Sequence, residues 1–176
     1  LRLGYPECCS RFYAEAHHDS SNPELLWLAA NNTATPASSI VELQAPPELN
    51  VFWRQMGASL LPYIPCNYSC GESLSLARRL ADIAMESTYA DDFSLLQEVL
   101  RWPLEWSTLH GIAEMKTPVF KMCTNATPAA SKRVVRWHGE SYPTEGAKGI
   151  AFPYRQQLNP AARRFTEGLA VISPAK

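Results

Sequence analysis

Four cysteines stand in two short segments of similar design. Gly4-Tyr5-Pro6-Glu7-Cys8-Cys9-Ser10 and Tyr63-Ile64-Pro65-Cys66-Asn67-Tyr68-Ser69-Cys70-Gly71-Glu72-Ser73 each place an aromatic residue and a proline before their cysteines, and each leads into a helix-compatible run. At a helix start the free N–H groups and the positive end of the dipole stabilise a thiolate. The same donors suit metal-bound sulfur. Two such starts brought face to face would present up to four thiolates to one centre.

The spacing admits three chemistries. Zinc takes four Cys or His ligands, commonly from C-x₂₋₄-C pairs, and Cys66-x₃-Cys70 falls in that range; adjacent Cys8 and Cys9 rarely both ligate one small ion. An iron–sulfur cluster is larger and accepts more varied spacings. One residue of the Cys8/Cys9 pair with Cys66 and Cys70 would hold a [4Fe–4S] cluster with one iron open, and the cluster is the favoured expectation. The third chemistry is a cysteine nucleophile or redox dithiol, although the usual redox spacing is C-x-x-C. Against all three stands plain burial, since unpaired cysteines are often small core residues. Cys123, on an expected strand, is read that way.

Other side chains offer proton-transfer chemistry. If residues 109–117 are extended, His110, Glu114 and Lys116 share one face; they are the candidate acid–base groups, and an ordinary cross-strand ion pair is the competing explanation. His17 and His18 suit the C-terminal end of a helix, where imidazolium complements the dipole. Trp102, Trp106, Trp137, Tyr142, Phe152 and Tyr154 are dense enough to line a pocket for a small-molecule substrate, an aromatic one among the candidates, or else to form a plain core. Phosphate-loop, dinucleotide, H-E-x-x-H and G-x-S-x-G signatures are missing from the sequence.

Helices are expected over Cys8 to His17, Pro23 to Ala30, Ser73 to about Ser87 and Asp91 to Arg101, from apolar periodicity and from start signals such as Pro6-Glu7 and Asp91 or Asp92. In the third, Leu76, Leu80, Ile83 and Ala84 form the apolar face. Ile40 to Leu43 reads as a short strand. After Trp102-Pro103 the character is β, with strands at Val119 to Thr124 and Arg133 to His138 joined by an eight-residue turn, a third at Gly149 to Tyr154, and a short helical patch from Asn159 before Val171-Ile172. The expected class is α+β: one domain over residues 1–176, its helical part (about 1–101) packed on a small antiparallel β part (about 102–176).

The chain has 176 residues, 46% of them hydrophobic, and a net charge of −1, which fits a globular domain and leaves no basic field for nucleic acid. Neither a membrane-length apolar run nor the basic-then-apolar order of a secretory leader occurs. Five cysteines, an odd number, fit thiols in a reducing compartment better than a disulfide framework, so the cytoplasm is expected. The first residue is Leu1, not Met, which allows for a fragment of a longer protein; a partner domain or a homo-oligomer is a separate expectation. Gly-Tyr-Pro-Glu-Cys-Cys-Ser-Arg-Phe at residues 4–12 and Pro-Cys-Asn-Tyr-Ser-Cys-Gly-Glu-Ser at residues 65–73 resemble a pattern in the DUF483-like group of prokaryotic proteins. The resemblance implies a prokaryotic protein in which both cysteine segments belong to one site. It supplies no activity.

Overall fold

Pro6 and Glu7 open the first helix, α1 (Glu7–His18), which puts Cys8 and Cys9 in its first turn with the acidic residue where the dipole favours it. The computed structural model describes residues 4–18, 24–119, 121–124, 129–143, 145–146 and 149–150. The chain forms two compact units, Leu1–Tyr142 and Pro143–Lys176. In the second, the described structure is an antiparallel pairing of Glu145–Gly146 with Gly149–Ile150. The expected continuation of that strand to Tyr154, the helical patch from Asn159 and the aromatics Phe152 and Tyr154 lie outside the described residues.

The first unit is α+β, as its sequence pattern implies. After α1 come α2 (Leu25–Asn31), β1 (Ile40–Leu43), two 3₁₀ turns (Pro47–Leu49 and Phe52–Met56), α3 (Gly71–Met85) and α4 (Ala90–Leu100). β2 (Leu104–Leu109), β3 (Ile112–Lys116), β4 (Lys121–Thr124) and β5 (Arg133–Trp137) follow. The five strands form one sheet in the order β1-β5-β2-β3-β4. It is mixed: β1, from the helical half of the sequence, pairs parallel with β5 at the edge, while the remaining pairs are antiparallel. His138 N–H to Leu43 O (2.9 Å) and Val134 N–H to Ser39 O (2.8 Å) extend that parallel seam.

The expected partnership of β4 with β5 does not form. β4 pairs with β3 and β5 with β2, because a tight hairpin over residues 104–116 takes the centre of the sheet. Its two-residue turn is His110-Gly111, both with positive φ (51° and 82°), the conformation that matches the right-handed twist of the flanking strands.

One face of the sheet is apolar, with Leu43, Val135, Trp106 and Met115 buried. Phe52 meets that face, its ring 6.1 Å from both Trp106 and Trp137. Asn50, fully buried, donates from Nδ2 to Leu100 O (3.0 Å) and accepts from Phe52 N–H (3.3 Å), so the 3₁₀ turns are tied to the end of α4. The other face carries alternating charge across the strands: Glu42, Arg136, Glu105 and Lys116 are register neighbours. They pair in turn, Arg136–Glu42 at 3.0 Å, Arg136–Glu105 at 2.9 Å and Lys116–Glu105 at 3.7 Å.

α3 departs from the expected apolar face. Its buried line is Ser73, Ala77 and Ala81, small residues four apart, while Ile83 is 65% exposed. Small side chains let a helix approach its neighbours closely, and Leu76, Leu80 and Ala84 of the expected face are half-buried beside them. Asp91 and Asp92 occupy the first turn of α4, where they complement the dipole, but the cap position itself is Tyr89. Among the described residues no helix is long and apolar enough to cross a membrane.

Candidate metal centre

The first turn of α1 and the start of α3 meet. Cys8 Sγ lies 3.7 Å from Cys70 Sγ, Cys9 Sγ lies 3.9 Å from Cys70 Sγ, and the two neighbours Cys8 and Cys9 are themselves 3.9 Å apart. Cys66 completes the group: the four sulfurs all lie within 4.8 Å of one another. All four are free thiols; Cys9 and Cys70 are buried and Cys8 and Cys66 half-buried.

Local sequence explains how the second segment reaches the first. Pro65 is buried, and Cys66 to Ser69 form a tight turn that ends with Cys70 as the cap residue of α3. Tyr68, in the middle of this loop, is fully buried and stacks on Phe52 with ring centroids 5.3 Å apart. Its N–H donates to Thr33 Oγ1 (2.7 Å), and that hydroxyl donates to Ala29 O (2.7 Å). Asn32 Nδ2 donates to Cys66 O at 2.9 Å. The end of α2 therefore holds the cysteine loop from behind. Asn32, Thr33 and Tyr68 were not legible as site residues: the first two sit in a stretch whose composition says only loop.

The sulfurs also have polar partners. Cys9 Sγ accepts from Cys66 N–H (3.4 Å), and Asn67 Nδ2 donates to Cys66 Sγ (3.5 Å). Ser73, fully buried on α3, brings its hydroxyl oxygen 3.2 Å from Cys9 Sγ and 3.1 Å from the Tyr63 hydroxyl. Burial, reinforced by the neighbouring thiolates and opposed by Ser73, pushes the Tyr63 phenol up to about 12. It stays protonated and can donate to Ser73, which frees the serine proton for sulfur.

Without a cation the thiols cannot all ionise. Burial, then the hydrogen bond to Cys70 and repulsion from Cys9, pushes Cys8 up to about 11. Burial and repulsion from Cys9 and Cys70 raise Cys66 further. Cys70 goes the other way: burial opposes its ionisation, but hydrogen bonds from the Ser73 side chain and backbone, and from Cys8 and Cys66, outweigh it. A bound cation inverts this balance, because its charge offsets the repulsion among the sulfurs. Donor chemistry, mutual distance and hydrogen bonds to sulfur all fit a metal ion.

Beside the cysteines is a cleft of about 480 Å³, with Cys9 in its wall. Tyr5, Tyr13 and Tyr63 line it together with Ser10 and Arg54, and Tyr5 and Tyr63 are in ring contact at 4.9 Å. These walls come from the helical half. The aromatics expected to line a pocket instead build the core, with Trp102, Trp106 and Trp137 at most 3% exposed, while Tyr142 is 68% exposed.

His110, Glu114 and Lys116 are not among the residues lining this cleft. His110 sits in the hairpin turn rather than on an extended strand. Glu114 and Lys116 do share a strand and pair with each other at 3.0 Å; Glu114 also pairs with Lys121. Cys123, exposed on β4, has its sulfur 3.8 Å from Glu114 Oε2 and stands apart from the four-cysteine group. His17 packs its ring against Tyr13 at 4.2 Å near the end of α1.

No family model matches the chain, and neither does any curated protein or solved structure with which it was compared.

Proposed function

We propose that this chain is a metal-binding domain in which Cys8, Cys9, Cys66 and Cys70 together hold one tetrahedrally coordinated ion, zinc fitting best, beside a cleft that admits a small molecule. The spacing of the sulfurs carries this reading: three pairs stand at 3.7 to 3.9 Å and the whole set lies within 4.8 Å. A zinc–sulfur bond of about 2.3 Å separates tetrahedral ligand atoms by about 3.8 Å. Thiolates on one four-iron cluster stand roughly 6–7 Å apart, so the iron–sulfur cofactor favoured from spacing alone would require these sulfurs to spread. The 3.9 Å between Cys8 and Cys9 is compatible with both serving one ion.

Bound there, the ion would keep the four sulfurs deprotonated and link the start of α1 to the start of α3. A closed set of four sulfur ligands leaves no position for an activated water, which favours a binding module over a hydrolytic enzyme. The resemblance of residues 4–12 and 65–73 to the DUF483-like group supports treating both segments as one site.

Anaerobic purification followed by metal and sulfide analysis tests the reading. One zinc per chain without acid-labile sulfide is expected, and cobalt substitution should give the visible spectrum of a tetrahedral sulfur site. Iron and sulfide in near-equal amounts would return the site to the cluster reading. A protein that binds neither, yet loses thiols to alkylation at neutral pH, would indicate the thiol enzyme.

A further inference from the structure

We infer that the cleft beside Cys9 is a site for a small organic acid: a carboxylate held by Arg54 and a flat apolar body held between the tyrosine walls. This rests on reading the cleft as a ligand site next to the metal centre and names the class of ligand it takes. Three observations converge on it.

The first is volume. About 480 Å³ is in the range of small-molecule pockets, which run from roughly 300 to 1,000 Å³, and is far more than a metal ion or a few waters need. The second is the lining. Three tyrosines, Tyr5, Tyr13 and Tyr63, supply broad apolar faces with hydroxyl edges, and aliphatic side chains such as Leu25 and Ile64 complete the walls. Such surfaces hold a flat body by contact on its faces. The third is charge. Arg54 is the cation of the cleft, and no carboxylate is found among the described residues that line it. Arg11, Arg78, Arg101 and Arg136 each face a carboxylate, whereas among the described residues Arg54 is in no ion pair. A guanidinium in the wall of a largely apolar cleft attracts an anion. Its planar fork matches a carboxylate in two parallel hydrogen bonds. With one arginine as the charged group among the described lining residues, the site suits a monoanion better than a phosphate dianion, which usually draws several cationic donors.

The test uses the metal-loaded protein and three probes of known structure: benzoate, its neutral isostere benzamide, and inorganic phosphate. Binding is followed by perturbation of amide and tyrosine ring signals in NMR titrations. Benzoate is expected to shift signals from residues 5–13 and 62–64 and to bind about tenfold more tightly than benzamide, the difference a charge-assisted pair makes. Arg54→Gln should remove that preference while metal content stays unchanged, since Arg54 is exposed and is not a ligand. Tyr13→Ala should weaken both organic probes about equally. Equal binding of benzoate and benzamide, or an Arg54→Gln protein that still prefers benzoate, overturns the proposal. So does phosphate that competes as well as benzoate, which would make the cleft a phosphate site, and so does an absence of shifts with every probe. Metal content measured on the same samples reports on the metal reading separately: protein that binds benzoate but no metal would sink that reading and leave the acid site standing.

Discussion

Cys8 Sγ and Cys70 Sγ lie 3.7 Å apart although 62 positions separate them in the chain. Each belongs to a helix start preceded by a buried proline, Pro6 before α1 and Pro65 before the loop into α3. The contact is thus an encounter of two helix N-termini, both of which favour negative charge on sulfur.

Replacing one ligand should remove the metal without destroying the domain. Cys66→Ser and Cys70→Ser are expected to lose stoichiometric metal, yet to retain native circular dichroism and a cooperative melt. The reason is that Trp53, Trp102, Phe52 and Leu43 belong to a buried apolar core large enough to fold without an ion. Outright unfolding of both variants would show that metal binding and folding are coupled, as in small zinc modules.

In the proposed metal centre Ser73 would act on the ion through sulfur. Ser73→Ala deletes the hydroxyl 3.2 Å from Cys9 Sγ and leaves the Tyr63 hydroxyl without its 3.1 Å partner. Metal affinity measured by chelator competition should fall about 10–100-fold, and stability by about 1–2 kcal/mol. Unaltered affinity would reduce Ser73 to a packing residue.

Cys123→Ser should leave metal content as it is and cost less than about 1 kcal/mol in denaturant melts, because Cys123 is exposed and lies on β4, outside the sulfur group. Loss of metal in this variant would require a different ligand set.

Acid sensitivity should follow Glu114 in part. Its hydrogen bonds to Lys121 and then Lys116 hold its carboxyl below the usual carboxylate range. A folded-state pKa depressed in this way contributes stability above the unfolded value of about 4.3, and that contribution is lost as pH falls through the folded value. Glu114→Gln should therefore flatten stability against pH below about 4.3 and cost at most about 1 kcal/mol at neutral pH, since its partners are exposed. An unchanged acid slope in urea titrations would show that the pairs carry no stability.

Gly139 is a steric requirement. A Cβ there would collide with the carbonyl of Arg101 and the ring of Pro103, where Glu140 N–H donates to Arg101 O at 2.8 Å. Gly139→Ala is expected to lower stability by about 1–3 kcal/mol, seen as a drop in Tm; a Tm equal to that of the parent would mean the chain here shifts freely.

Local pattern determined much of this protein before any long-range contact was considered. Proline followed by cysteine marked both halves of the site, because helix starts are encoded by neighbours within a turn. Helical periodicity placed α1 and α4 within a residue or two of their observed ends. β1 was found at its observed bounds, since a short run rich in β-branched residues between loops is a local property. Partnership was another matter. Tertiary structure alone decided that β1 joins β5 in parallel and that α3 buries its alanines rather than Ile83. It also decided that Thr33 and Tyr68 clamp the cysteine loop. These outcomes depend on which surfaces meet across dozens of residues, and hydrophobic contact is non-directional, so composition says how much apolar surface must be covered but not by what. The gathering of Cys8, Cys9, Cys66 and Cys70 within 4.8 Å is of the same kind: spacing along the chain marks each pair, and only the fold brings the two pairs together.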